Sequence, residues 1–176
     1  MRKTNSYLVK ICITAMLTAI GFVLDRLLTI STPAVKINLA FLPAVFAAVL
    51  LGPVYGACVY GLTDLIGAIL LPFGPYHPGF TVCAAVMGAL YGVFLYKKEK
   101  ITFINIVIPV VINCLVIGLF INTAWVSMLY GSKTYWGWFA YRLLEYAVLV
   151  PVQLALIPAA LKLCGRITRS LGLFRF

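Results

Sequence analysis

Six stretches of this chain, at roughly 7–28, 38–51, 54–71, 79–96, 103–128 and 139–164, consist mostly of apolar side chains. A run of about 20 such residues crosses the hydrocarbon core of a bilayer. Backbone amides in that medium find no water, so apolar runs of this length are read as packed helices. The second stretch is short, and Gly52-Pro53 separates it from the third as a turn between antiparallel helices. A short helix can be accommodated inside a bundle. The expected fold is an all-α membrane protein, a six-transmembrane-helix bundle forming a single domain over residues 1–176. Composition agrees, because a chain 64% hydrophobic and 10% charged suits neither a soluble core nor a disordered segment.

A net charge of +10 would point to nucleic acid in a soluble protein. Here the basic residues lie mostly at segment ends, where orientation in the membrane explains them better and no nucleic-acid partner is expected. One side holds Arg2, Lys3, Lys10, then Lys97-Lys98-Glu99-Lys100, then Lys162, Arg166, Arg169 and Arg175. The other side holds Arg26, Lys36, Lys133 and Arg142. This bias places both termini in the cytoplasm of a multi-pass protein. The start of the chain superficially resembles a signal peptide, but its apolar run continues through Gly21 to Leu24 without an obvious cleavage site. It is expected to be a retained first helix.

Only four residues are acidic, and Asp25, Asp64 and Glu145 fall inside or at the edge of apolar runs. An ionisable group at membrane depth costs roughly 3 kcal/mol, so it normally faces a partner, a cavity or a ligand. Asp64 lies ten residues into its helix, or roughly 15 Å at helical rise. Arg26 is near the outer end of helix 1, and Arg142 and Glu145, three apart, share a face in the outer turns of helix 6. All fall from the midplane outward, as in a polar cup open to the outside and closed toward the cytoplasm. A proton relay would spread such groups over the full depth.

Aromatics crowd the same level: Tyr60, Phe73, Tyr76, Trp125, Tyr130, Tyr135, Trp136, Trp138 and Tyr141. Trp136 and Trp138 fit an interfacial belt. Tyr60 and Trp125 lie deeper, where ring stacking on a flat ligand and core packing both remain open. His77, alone in a Pro-rich loop, makes either a loop contact or a ligand contact, and no metal site. Cys12, Cys58, Cys83, Cys114 and Cys164 are scattered without a CxxC pair and read as packing residues. Gly52 and Gly56, Gly88 and Gly92, and Ala57 and Gly61 are small-xxx-small pairs that let helices approach. Thr14, Ala15, Thr18 and Ala19 form a smooth stripe on helix 1, open to packing within the bundle or to another membrane helix.

The stretch Lys36-Ile-Asn-Leu-Ala-Phe-Leu-Pro43, running on through Gly52-Pro-Val-Tyr-Gly56 to Asp64, resembles the substrate-binding S components of energy-coupling factor transporters. Leu71-Pro-Phe-Gly-Pro-Tyr-His-Pro-Gly-Phe-Thr81 is similar to the pattern of their folate-specific members. With Ala15 and Ala19, the resemblance covers helices 1 to 4; helices 5 and 6 agree in length and placement. It implies a non-enzymatic subunit of a prokaryotic cell membrane that captures a vitamin outside. A transmembrane T component and two cytoplasmic ATPases would complete the importer, with Ala15 and Ala19 docking on the T component. Loops at about 29–37 and 72–78 would gate the pocket, and the subunit would topple to deliver its ligand. No GxxxxGK[ST] occurs, so ATP dependence has to come from partners.

Independently, the chemistry fits folate or a reduced folate. A pterin edge offers an amino donor and a ring N–H, which Asp64 or Glu145 can accept in paired hydrogen bonds. Its faces suit stacking on Trp125 or Tyr60. Arg26, Arg142, Lys36 or Lys133 would meet the acidic tail, with Tyr76 and His77 as further contacts. Internal ion pairs between these carboxylates and arginines are the other reading, and both can hold in turn. Other vitamins, thiamine or riboflavin for example, and a stand-alone carrier are the alternatives. A lipid-acting enzyme lacks a nucleophile–base pair or any carboxylate cluster here.

Overall fold

The computed structural model describes residues 3–31, 36–72, 74–98, 101–130 and 135–171, with residues 3–6, 30–31, 36–37, 130 and 166–171 described in their backbone alone. Phe73 and Lys133 lie outside the described residues. The apolar runs form α1 (Lys3–Arg26), α2 (Phe41–Leu51), α3 (Pro53–Leu70), α4 (Pro78–Leu95), α5 (Phe103–Val111), a π-helical segment (Ile112–Ile121), α6 (Asn122–Tyr130) and α7 (Tyr135–Leu171). Between α1 and α2, β1 (Ile30–Ser31) pairs antiparallel with β2 (Lys36–Ile37), Ile30 opposite Ile37. Pro53 and Pro78 open α3 and α4, where a missing N–H costs nothing. Pro109, inside α5, withdraws a ladder donor, and shortly beyond it the ten-residue π segment begins. α5, the π segment and α6 therefore run on as one rod.

Among the described residues, five helices are long and apolar enough to cross a membrane: Tyr7–Arg26, Pro53–Leu70, Pro78–Leu95, Phe103–Leu129 and Tyr135–Gly165. The short second helix, α2, has 11 residues, about 16 Å at helical rise and roughly half a bilayer core. Its position explains its length. Phe41, Ala44, Val45, Ala47 and Ala48 are each at most 1% exposed, and α2 packs on α1, α3, α4 and α7. The main core gathers Phe41, Val45 and Ala48 with Tyr91 and Leu95 of α4, Val110 of α5 and Ile157 of α7. Outward faces are apolar instead of polar, with Ile11, Met16, Val54 and Ile69 exposed, as lipid contact requires.

Small residues set the closest crossings. Gly52 turns the chain between α2 and α3 at φ 111°, which a side chain disfavours. A Cβ on Gly56 would lie 2.7 Å from both the Gly88 carbonyl and the Ala48 methyl. α3 and α4 thus touch backbone to backbone. Gly21 faces Thr63 and Gly67 faces Arg26, so α1 and α3 run in the same direction. Gly56 at Gly88 and Asp64 at Thr81 make α4 antiparallel to α3. The C-terminal ends of α1 and α3, the start of α4, α6 and the first turns of α7 meet at one end of the bundle.

Candidate functional site

A cavity of about 350 Å³ opens at that end, within the range of about 300–1,000 Å³ common for small-molecule sites. α3 contributes Tyr60, Thr63, Asp64 and Ala68, one stripe at helical spacing. Phe80, Ala84 and Met87 do the same from α4. Asp25 and Arg26 close the α1 side, Asn122 and Val126 come from α6, and Arg142 comes from α7. Pro72, Gly74, Pro75 and Tyr76 of the α3–α4 loop, within the segment 72–78 expected as a gate, form the rim. Part of the other expected gate, 29–37, lies outside the described residues.

Two carboxylates and two guanidiniums line this space. Arg26 Nε stands 2.9 Å from Asp25 Oδ2, with both side chains buried. Asn38 Nδ2 donates to Asp25 Oδ1 at 2.9 Å, and the Thr29 hydroxyl donates to the Asp25 carbonyl. Gly67 permits the arrangement, because a Cβ there would strike the guanidinium. Removal from water makes such a pair costly unless its lone pairs are satisfied, and Asn38 satisfies one.

Asp64 sits at the centre of a chain of hydroxyls. Thr81 Oγ1 donates to Asp64 Oδ2 at 2.7 Å, so its own oxygen is left to accept from Tyr76 Oη at 2.9 Å. The rim loop is thereby tied to a carboxylate on α3. His77 does structural duty at the same turn. Its Nδ1 accepts from Gly79 N at 3.0 Å, capping α4, and its ring stacks on Trp125 at 4.5 Å and 24°. Gly79 leaves room for that stack, since a Cβ would fall 2.6 Å from Trp125. His77 and Trp125 thus back the rim without lining the cavity itself.

On α7, Arg142 Nη1 donates to the Gly118 carbonyl at 3.3 Å and to Tyr146 Oη at 3.5 Å. Glu145 is half-buried one turn away and is not among the lining residues. Of the residues singled out in the sequence, Arg26, Tyr60, Asp64, Tyr76 and Arg142 share the cavity. The Lys36 backbone lies in β2. Asp25, singled out as a charge in an apolar run, lines it too, and Asn38, Thr63 and Asn122 line it without having been expected there. Asn122 carried a legible signal, an amide within an apolar run. Its Oδ1 is buried without a hydrogen-bond partner among the described residues. Away from the cavity, Thr14 and Thr18 bond back to their own helix while Ala15 and Ala19 face outward.

A family model described as ECF transporter, substrate-specific component, matches residues 9–162. The chain belongs to that family. As a substrate-specific component it has curated relatives among bacterial proteins. It is 33% identical over 167 residues to the folate transporter FolT of Clostridium novyi, covering 95% of this chain and 94% of that protein. With the folate transporter FolT of Leuconostoc mesenteroides it shares 26% identity over 146 residues, 81% of this chain and 78% of that one. A crystal structure of FolT bound with folic acid superimposes with a TM-score of 0.74 at 29% identity, covering 82% of this chain and 86% of the other. These relatives are transporter subunits, and the apolar helices of this S component suit the same multi-pass membrane setting.

Proposed function

We propose that this S component binds folate or a reduced folate at the bundle's outer end and hands it to an ATP-driven importer. The observation that carries the reading is one cavity lined by Asp64 on α3 and Arg142 on α7, in a chain related to folate transporters over nearly its whole length. A carboxylate accepts from the donor edge of a pterin, and a guanidinium matches the carboxylates of a glutamate tail. Tyr60 supplies a ring face in the wall, Tyr76 closes the rim, and the His77–Trp125 stack stiffens it. Arg26, which stands against Asp25, turns to the ligand on binding. Glu145, one turn from Arg142, is a second candidate acceptor, and Lys36 remains a candidate for the acidic tail.

The whole chain, 1–176, works as one membrane domain with six passes and both termini on the cytoplasmic side of a prokaryotic plasma membrane. The α2 segment makes its pass inside the bundle. Ala15 and Ala19 present a smooth outward face for a T component, and two ATPases supply the energy. The subunit itself catalyses nothing. Calorimetric titration of detergent-purified protein with folate tests the reading, with saturable binding expected for wild type and weakened binding for Asp64→Ala. Wild-type affinity in both Asp64→Ala and Arg142→Gln would overturn the site. Uptake by liposomes holding this subunit alone would overturn the partner dependence.

A further inference from the structure

We infer that Tyr146 and Gly118 are positioning residues for Arg142, fixing its guanidinium where the cavity receives the acidic end of the ligand. The inference deepens the folate reading above and rests on it. Tyr146 follows Arg142 by four residues, so both side chains leave the same face of α7. Both partners of Arg142 Nη1, the Gly118 carbonyl and the Tyr146 hydroxyl, are neutral oxygens. They orient the cation without bringing a charge of their own against it.

Gly118 belongs to the π segment and is buried. A Cβ there would lie 2.8 Å from Tyr146 Cε1 and closer still to Cζ and Oη. The missing side chain is therefore what lets the phenol edge abut the rod and reach Arg142. The Asn122 amide lies beside the same hydroxyl, so the hydroxyl joins two lining residues from different helices. Tyr146 is not among the lining residues and acts through its neighbours. An arginine free to sample its rotamers loses entropy on binding a carboxylate, and a seat that fixes it beforehand removes that loss.

Purified wild type, Tyr146→Phe, Gly118→Ala, Arg142→Gln and the double variant Tyr146→Phe/Arg142→Gln are titrated with folate and with 6-methylpterin, which has the ring and no acidic tail. Tyr146→Phe is expected to weaken folate about tenfold, to leave 6-methylpterin within about twofold, and to add nothing in the Arg142→Gln background. Equal losses for both ligands, additive losses with Arg142→Gln, or no loss for folate would each overturn the positioning role. Gly118→Ala is expected to follow Tyr146→Phe; should it not fold, Tyr146→Phe, which keeps the ring, decides alone. If wild type binds folate and Tyr146→Phe matches it, the positioning role alone fails. If wild type does not bind folate, the functional reading fails and this inference with it.

Discussion

Asp64 and Tyr76 lie on one hydrogen-bonded chain through Thr81, and the two differ in what their loss should cost. Asp64→Asn removes the charge that strengthens a hydrogen bond, worth roughly 1.5–3 kcal/mol, so folate affinity is expected to fall about tenfold or more. Tyr76→Phe removes one neutral bond at the rim, about 1 kcal/mol net, and should weaken binding roughly fivefold. Titration separates the two, and equal affinities for Asp64→Asn and wild type would contradict the first. At this scale the sequence was most legible where a residue clashed with its medium. Arg26, Asp64 and Arg142 stand out as charges in apolar runs. Thr63 did not, because a membrane helix accommodates threonine by bonding it to backbone carbonyls, as Thr14, Thr18 and Thr63 do. Asn38 was read only as part of a motif, and its bond to Asp25 crosses 13 residues that periodicity does not connect.

The elements followed from hydropathy, but their irregularities did not. Every apolar run became a helix, and Gly52-Pro53 made the expected turn. The π segment, which packs against α7, left no sign in composition beyond Pro109, because hydropathy does not distinguish i→i+5 from i→i+4 bonding. Similarly, α2 was recognised as short, while its burial on several sides depends on four neighbouring helices. The α3–α4 contact gives an element-level test. Gly56→Val pushes a branched side chain into the Gly88 backbone, and overpacking of this kind costs about 1–3 kcal/mol. Thermal unfolding in detergent should show a lower Tm, and an unchanged Tm would contradict the backbone contact. On α1, Ala15→Leu/Ala19→Leu changes an outward face. Folate titration should then stay within about twofold of wild type, whereas uptake by the assembled transporter should be lost; full uptake would contradict the docking role.

Seen whole, the molecule separates its duties by depth. One end carries the cavity with its charged and aromatic lining, and the opposite end carries Lys97 and Lys98, with Lys98 bonded to Asn105 at 2.9 Å. Between them the core around α2 is apolar, so the cavity has a floor. The gathering of lysines and arginines makes the cavity end the expected outer one, since insertion reads the same charges. The identity of the guest was not readable from charge alone, because thiamine, riboflavin and folate all present flat rings. The direct test is therefore one thermal-shift and calorimetric titration of purified wild-type protein with folate, thiamine and riboflavin in parallel. Folate alone should bind saturably and stabilise the bundle, by about 2.7 kcal/mol at a hundredfold excess over Kd. Stabilisation by thiamine or riboflavin with none by folate would contradict the assignment of this cavity to a pterin with an acidic tail.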